Sequence, residues 1–112
     1  MDYCAEELLI STIASLLDGL RHIAVGVLSP IPGSASLLAA SRSTTIKKVS
    51  ILGSMKEPYR VDGAIDLFDC AGQGRIDAFF LSGGQIDGQA NVNLTGIGHY
   101  PTQDTRWSGA FM

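Results

Sequence analysis

The sequence has few charged residues, and they form no basic surface. Charged residues make up 17% of the 112 positions, and the formal net charge is −3. Apart from Lys47 and Lys48, the basic residues are scattered, so nucleic acid is not an expected partner. Since little charge is available to cover the surface of a small domain, we expect some apolar surface to contact a partner.

A long hydrophobic run is also missing. No segment approaches the roughly 20 apolar residues that are needed to cross a bilayer. The first residues are acidic, with Glu6 and Glu7 following Asp2, where a signal peptide would be basic. We therefore expect a cytoplasmic protein that has no membrane partner.

Cysteines are scarce, and their spacing suggests no metal. Cys4 and Cys70 form no CxxC pair and have no histidine beside them. Neither a zinc site nor a redox motif is expected, and the two thiols are predicted to be reduced and structural.

What the sequence does contain is an alternation of helix-like and strand-like apolar patterns. Leu9, Ile13, Leu16 and Leu20 recur at three- and four-residue intervals, as in an amphipathic helix. The patterns predict helices over 5–20, 35–41 and 63–70, and strands over 22–28, 48–52, 76–81 and 91–94. This order predicts an α/β fold with a parallel or mostly parallel sheet and helices on its faces.

Three loops are predicted to meet at one edge of this sheet. They span residues 29–34, 53–54 and 82–88, each after a predicted strand, and ligands bind at the carboxyl ends of parallel strands. Gly83, Gly84 and Gly88 permit positive φ, so their amides could hold a thioester oxygen or a pyrophosphate, although glycine pairs are also common in ordinary turns. Neither GxGxxG nor a Walker-type loop is present.

Polar side chains near the glycine turn have two interpretations. Asp87 and Gln85 could order the loop through hydrogen bonds or could face a substrate. Asn91 and Asn93 alternate along a strand, where their amides could bind a polar ligand or satisfy backbone groups.

The two histidines differ in their surroundings. His99 lies in a glycine-containing loop and is the better acid–base candidate. His22 precedes an apolar strand and is expected to be a packing or edge residue.

The string FFLSGGQIDGQANVNLTGIG at 79–98 resembles the signature of the beta subunit of glutaconate-type (class I) CoA-transferases, in which GGxQID or GAQID is followed by GNxN. Residues 25–32 and 67–77 resemble the early loop and the later helix and turn of that family. The resemblance implies a CoA-transferase (NagB/RpiA-like) type fold and a partner similar to the alpha subunit of the same family. Because family members continue past the point matched by 106–109, residues 1–112 are expected to form a single domain of the beta-subunit type that is incomplete at its C-terminus.

The family's catalytic residue has no counterpart. Its glutamate, which attacks the acyl-CoA thioester, would fall within residues 50–54, where no carboxylate is present, and Glu57 is too far along the chain. The resemblance implies coenzyme A, bound as acyl-CoA, as the ligand, and we assign no nucleophile and no metal. The candidate binding residues are Gly83, Gly84, Gln85, Asp87, Gly53 and Ser54.

Three functional hypotheses remain open. The first is one subunit of an acyl-CoA-processing enzyme that, with a partner, transfers CoA between carboxylic acids or hydrolyses a CoA thioester. The second is a non-catalytic structural subunit or truncated remnant that lacks the nucleophilic glutamate. The third is self-association, because an unfinished parallel sheet exposes an edge strand.

Overall fold

Three parallel strands form the central sheet of the computed structural model, which describes residues 2–107. The chain divides between Phe80 and Leu81 into two units. The first contains α1 (Ala5–Leu16), β1 (His22–Val25), α2 (Pro30–Arg42), β2 (Lys48–Ile51), α3 (Ala64–Gly72) and β3 (Ala78–Phe80). No helix in this described part of the chain has the length and apolar character that crossing a membrane requires.

The sheet is built around β1. Its strand order is β2-β1-β3, and both neighbours run parallel to β1, with Ile23 beside Val49 on one side and Ala78 on the other. Ile23, Ala24 and Val25 are 0% exposed, as expected for the continuous apolar run of a strand covered on both faces. The predicted parallel sheet is confirmed.

One face of the sheet packs against α1 and α2. Ile23, Val25 and Val49 point to this side because alternate residues of a strand share a face. The core cluster consists of Ala14, Leu17, Ile23, Val25, Ala39, Ile46 and Val49.

The other face packs against α3. Ala24 and Ser50 alternate with the strand residues of the first core, so their side chains point to the opposite face, and both are buried. Leu67 of α3 is 1% exposed. The rings of Phe68 in α3 and Phe79 in β3 stack at 5.7 Å with an interplanar angle of 13°. Helices therefore cover both faces, as the sequence predicted.

Helix boundaries differ from the predicted ones by more than two residues at two places. The first helix ends at Leu16 rather than at residue 20, with Gly19 at φ +88° in the turn that follows. The second begins at Pro30 rather than at residue 35, because proline suits the first helical position, where an amide has no intrahelical acceptor.

The buried side of α1 is narrower than its apolar pattern predicted. Ile13 and Leu20 are partly buried against the core, but Leu9 and Leu16 are 47% and 76% exposed. The helix therefore carries more apolar surface than the first unit covers.

The second unit contains two antiparallel ribbons. Strands β4 (Gln85–Ile86) and β5 (Val92–Asn93) form one, and β6 (Gly96–Ile97) and β7 (Thr105–Arg106) form the other. The strand predicted at 91–94 is β5. Residues 108–112 of the aperiodic tail lie outside the described residues, and the single domain over 1–112 stays a prediction.

Candidate functional site

An open groove of about 660 Å³ lies where β1 and β2 end in the first unit. Two of the predicted loops, 29–34 and 53–54, contribute to it. It is lined by Gly26, Val27, Leu28, Ser29, Pro30, Gly33, Ser34, Leu37, Ile51, Leu52, Gly53 and Ser54. The expected position of a ligand site at the carboxyl ends of parallel strands thus coincides with a cavity.

Backbone hydrogen bonds fix the floor of this groove. The Gly26 amide donates to the carbonyl of Phe80 at 3.2 Å, and the Leu52 amide donates to the carbonyl of Val25 at 3.0 Å. A Cβ at Gly26 would lie 3.3 Å from the Phe80 oxygen, so a side chain there would crowd this approach. The ends of β1, β2 and β3 are held close together.

The loop after β2 needs a glycine for its backbone shape. Gly53 has φ +86°, a region that L side chains rarely adopt, although a Cβ there would meet Val27 methyl groups only at 3.7 and 3.8 Å. The Ser54 hydroxyl accepts from the Lys56 amide at 3.2 Å and donates to the Lys56 carbonyl at 3.4 Å. Ser54 therefore orders its own turn.

No lining residue of the groove is ionisable. The loop after β2 presents Leu52, Gly53 and Ser54 to the cavity, and the exposed Glu57 does not line it. The groove by itself can bind a ligand, but it supplies neither a carboxylate nucleophile nor an acid–base group.

The predicted glycine loop lies in the second unit, where packing explains two of its glycines. None of Gly83, Gly84 and Gly88 has a φ in the left-handed region, so the positive φ that glycine permits is not used at these positions. A Cβ at Gly84 would overlap the indole ring of Trp107, and one at Gly83 would overlap the side chain of Val92. These side chains can approach the backbone so closely only because glycine has no Cβ atom.

Asp87 orders the turn between β4 and β5. Its Oδ1 accepts from the amides of Gln89 at 2.8 Å and Asn91 at 2.9 Å, and its Oδ2 accepts from the Asn91 side-chain amide at 2.8 Å. The Asn91 side chain first, and then these two amides, lower the pKa of Asp87 below its usual value. Of its two interpretations, loop ordering is the one that these bonds support.

Gln85 and Asn93 face each other across the ribbon. The Asn93 side-chain amide donates to Gln85 Oε1 at 2.8 Å and to the Gly96 carbonyl at 2.8 Å. A shallow cavity of about 390 Å³ brings Gln85 and Asp87 together with Asn91 and Asn93. Gly53 and Ser54 belong to the first unit, and Gly83, Gly84, Gln85 and Asp87 belong to the second.

The two histidines differ in burial and in hydrogen bonding. In His22, Nδ1 lies 3.0 Å from the Arg75 carbonyl oxygen and Nε2 lies 2.9 Å from the Ser50 hydroxyl. Burial, more than any neighbouring charge, lowers the pKa of His22. His22 is a packing residue at the amino end of β1, away from the groove, whereas His99 is exposed.

Sequence reasoning missed two residues of interest. Leu28 lines the groove with φ 51° and a side chain that is 94% exposed, and no sequence pattern marks a leucine in that conformation. Trp107 lies in the aperiodic tail, and no sequence pattern shows that its indole ring occupies the space of a Cβ at Gly84.

With this geometry in place, comparison with solved structures identifies the fold as the CoA-transferase-type α/β fold. The decarboxylase AibA/AibB matches with a TM-score of 0.70 and 24% identity over 98% of this chain. Its cysteine-to-alanine and cysteine-to-serine variants match with TM-scores of 0.68 and 0.69, each at 24% identity and over 98% of this chain.

This chain spans about half the length of the solved structures it matches, 53% in each case. No protein-family model matches the sequence. No curated protein matches it significantly.

Proposed function

We propose that this chain is one subunit of an acyl-CoA-processing enzyme and that it acts together with a partner chain. The observation that carries the proposal is the groove at the ends of β1 and β2, in a fold that matches the AibA/AibB decarboxylase over 98% of the chain. The two-part name of that enzyme favours a partner here, as does the apolar surface that α1 leaves exposed.

The lack of ionisable groups in the groove limits the reaction. Transfer of CoA through an acyl-enzyme anhydride requires a carboxylate, which would have to come from outside the groove. Decarboxylation, the reaction in the name of the matching enzyme, requires no covalent enzyme intermediate when a carbonyl of the substrate lies β to the leaving carboxylate. The bond to CO₂ breaks, its electron pair moves onto that carbonyl to give an enolate, and water supplies the proton that completes the product. The groove therefore fits decarboxylation better than transfer by a glutamate of this chain, and hydrolysis would need a general base from outside the groove.

Ligand-dependent stability tests the proposal directly. The chain would be purified with any partner that accompanies it, and its melting temperature would be measured with acyl-CoA thioesters. A ligand at 100 times its dissociation constant should stabilise the complex by about 2.7 kcal/mol. No shift with any acyl-CoA or with CoA would contradict the proposal, and assays for CO₂, free thiol and transferred CoA would separate the three reactions.

The same lack of ionisable groups favours one alternative, a non-catalytic structural role. Ser34→Phe would fill the groove from an exposed position of α2, while Ser41→Phe places the same ring at the other end of that helix, outside the groove. Loss of turnover in the first variant alone supports a catalytic site, and equal turnover in both supports the alternative. A bulky residue at Gly84 would be less informative, because it would displace Trp107.

A further inference from the structure

Three Asp-Gly pairs occur in the chain, at residues 18–19, 62–63 and 87–88. An aspartate that precedes glycine can cyclise, because no Cβ on the following residue hinders attack of its amide nitrogen on the side-chain carboxyl. We propose that the pair at 62–63 is a site of spontaneous isoaspartate formation and that the fold protects the other two pairs. This inference is independent of the proposed function, since the pair does not line the groove.

The reaction needs no reagent other than water. The Gly63 nitrogen attacks the protonated side-chain carboxyl of Asp62, and a C–N bond forms. The amide hydrogen and the carboxyl hydroxyl leave as one water, which gives a five-membered succinimide. A second water then opens the ring. Attack at the α-carbonyl gives isoaspartate, in which the main chain runs through the β-carbon, and attack at the β-carbonyl restores aspartate.

The first argument is the backbone of residues 61–63. Ring closure requires the aspartate to rotate until the next amide nitrogen meets its carboxyl, and hydrogen bonds in the main chain oppose such a local rearrangement. The amide of Arg60 donates to the Lys56 carbonyl at 3.1 Å, and the next amide that donates to a backbone carbonyl is that of Leu67, to Gly63 at 3.4 Å. Among the described residues, the amides of 61–63 therefore make no hydrogen bond that resists the rotation.

The second argument is the exposure of the Asp62 side chain, which is 83%. Its one ion pair within residues 2–107, with Arg60 at 3.5 Å, is exposed and therefore weak. A Cβ at Gly63 would meet nothing within 4 Å, so no neighbouring atom occupies the space on that side of the glycine. The carboxyl of Asp62 can therefore turn toward the Gly63 nitrogen.

The pair at 87–88 has the same sequence but a different environment. Both Asp87 oxygens accept hydrogen bonds, from the amides of Gln89 and Asn91 and from the Asn91 side chain. The Asn91 side chain contributes most to the lowered pKa of Asp87, and a lower pKa leaves less of the protonated carboxyl that the reaction needs. The main chain is also fixed, because the Asp87 amide donates to the Asn91 carbonyl at 3.1 Å. Cyclisation would have to break all of these bonds.

The pair at 18–19 is held by the core on both sides. Leu17 is 4% exposed, and Leu20 packs against the core cluster. The Leu20 amide donates to the Leu17 carbonyl at 3.3 Å, across the Asp-Gly pair. Rotation of Asp18 would move these leucines, so this pair should react more slowly than the pair at 62–63.

Incubation of the full chain, with any partner that co-purifies, in ¹⁸O-labelled water tests the inference. Each passage through a succinimide inserts one heavy oxygen, whether aspartate or isoaspartate results. After several weeks at physiological pH and temperature, digestion with trypsin in ordinary water places the three pairs in separate peptides, 1–21, 61–75 and 76–106. We expect label at residue 62, identified by fragment ions, to exceed label at residue 87 at least about tenfold and label at residue 18 severalfold.

The unfolded chain is the matched control. In guanidinium chloride the three pairs should acquire label at similar rates, because each is then only an Asp-Gly sequence. Equal labelling of residues 62 and 87 in the folded chain, or no label at residue 62, would overturn the inference. Methylation by an isoaspartate-specific carboxyl methyltransferase measures the part of the product that is isoaspartate, and its absence from peptide 61–75 would do the same.

Two variants check the cause. Asp62→Glu should remove the label from peptide 61–75, because closure of a six-membered ring is much slower, and persistent label would assign the reaction to another aspartate of that peptide. Asn91→Ala should raise the labelling of residue 87 severalfold in the folded chain and leave it unchanged in guanidinium chloride. An unchanged rate in the folded variant would contradict protection by these hydrogen bonds.

Discussion

Leu28 combines two unfavourable features at one residue. Its backbone lies in the left-handed region with φ 51°, and its side chain is 94% exposed, so little packing offsets either. Strain of this kind collects at ligand sites. Leu28→Gly should raise the free energy of unfolding by up to about 1 kcal/mol, because glycine adopts this conformation without strain. Denaturant titration measures that gain, and thioester binding to the groove should fall at the same time.

Ala90 offers a matched control for this effect. It is the other non-glycine residue with positive φ in the described chain, at 64°, and it lies in the turn that Asp87 orders. Ala90→Gly should relieve similar strain but leave binding to the groove unchanged. If both variants weaken binding equally, the effect at Leu28 is not local.

Asp77 accepts hydrogen bonds from backbone amides at the start of β1. Its Oδ2 accepts from the amides of Arg21 at 2.8 Å and His22 at 3.1 Å, and these bonds lower its pKa below the usual 3.8. A carboxylate with a depressed pKa stabilises the folded state above its unfolded pKa, and this contribution is lost as pH falls through the folded pKa. Asp77→Asn should therefore lower stability at pH 7 and flatten its decline below about pH 4. Urea titrations would show this, with Asp69→Asn, an exposed carboxylate on α3, as the control.

His22 should act in a different pH range. Burial lowers the pKa of His22 below 6.5 in the folded chain. As the pH falls, the unfolded chain therefore takes up this proton first, and the free energy of unfolding decreases from about pH 6.5 downward until the folded pKa is passed. His22→Gln should remove this part of the pH dependence, while His99→Gln, at an exposed site, should retain it. Denaturation midpoints at pH 7.5 and 5.5 give the comparison. Equal slopes for both variants would contradict it.

At the scale of elements, the sequence predicted the first unit well because its elements are made by burial. The run from His22 through Val25 forms the central strand, and the predicted helix over 63–70 is α3. The limits of α2 were harder to predict, since proline can end a helix or begin one, and Pro30 begins this one. The periodic pattern of α1 marked a helix correctly but could not show which apolar side would be covered.

The sequence of the second unit has no comparable hydrophobic pattern. Its ribbons are two residues per strand and mostly exposed, so no buried face imposes a period-2 pattern on them. Composition and resemblance mark residues 83–88, and Asp87 orders the turn between β4 and β5 as one of its two interpretations predicts. The contact of Gly84 with Trp107 could not be predicted, because the two are far apart in the sequence.

This contact gives a prediction about the ribbons. Gly84→Ala should displace the indole of Trp107 and cost about 1–3 kcal/mol, as is typical of overpacking. Trp107 is the single tryptophan of the chain, so its fluorescence reports the change without interference. Gly88→Ala is the control, because a Cβ there meets nothing within 4 Å. An unchanged spectrum in Gly84→Ala would refute the contact.

At the scale of the whole molecule, the described sheet has two free edges. Strands β2 and β3 each pair only with β1 among residues 2–107, and unpaired edges invite strands from another chain. Several large apolar side chains are also exposed, such as Leu16 at 76% and Ile65 at 80%.

We therefore expect the chain, when expressed alone, to self-associate in a concentration-dependent manner. Multi-angle light scattering over a dilution series should show a mass that rises with concentration, because edge pairing and apolar contact are both bimolecular. Co-expression with any partner that co-purifies should replace this distribution by a single mass, since a specific interface would bury the same surface. A clean monomer at every concentration would mean that the edges and the apolar side of α1 are tolerated in water, and the argument for a partner would then rest on the groove alone.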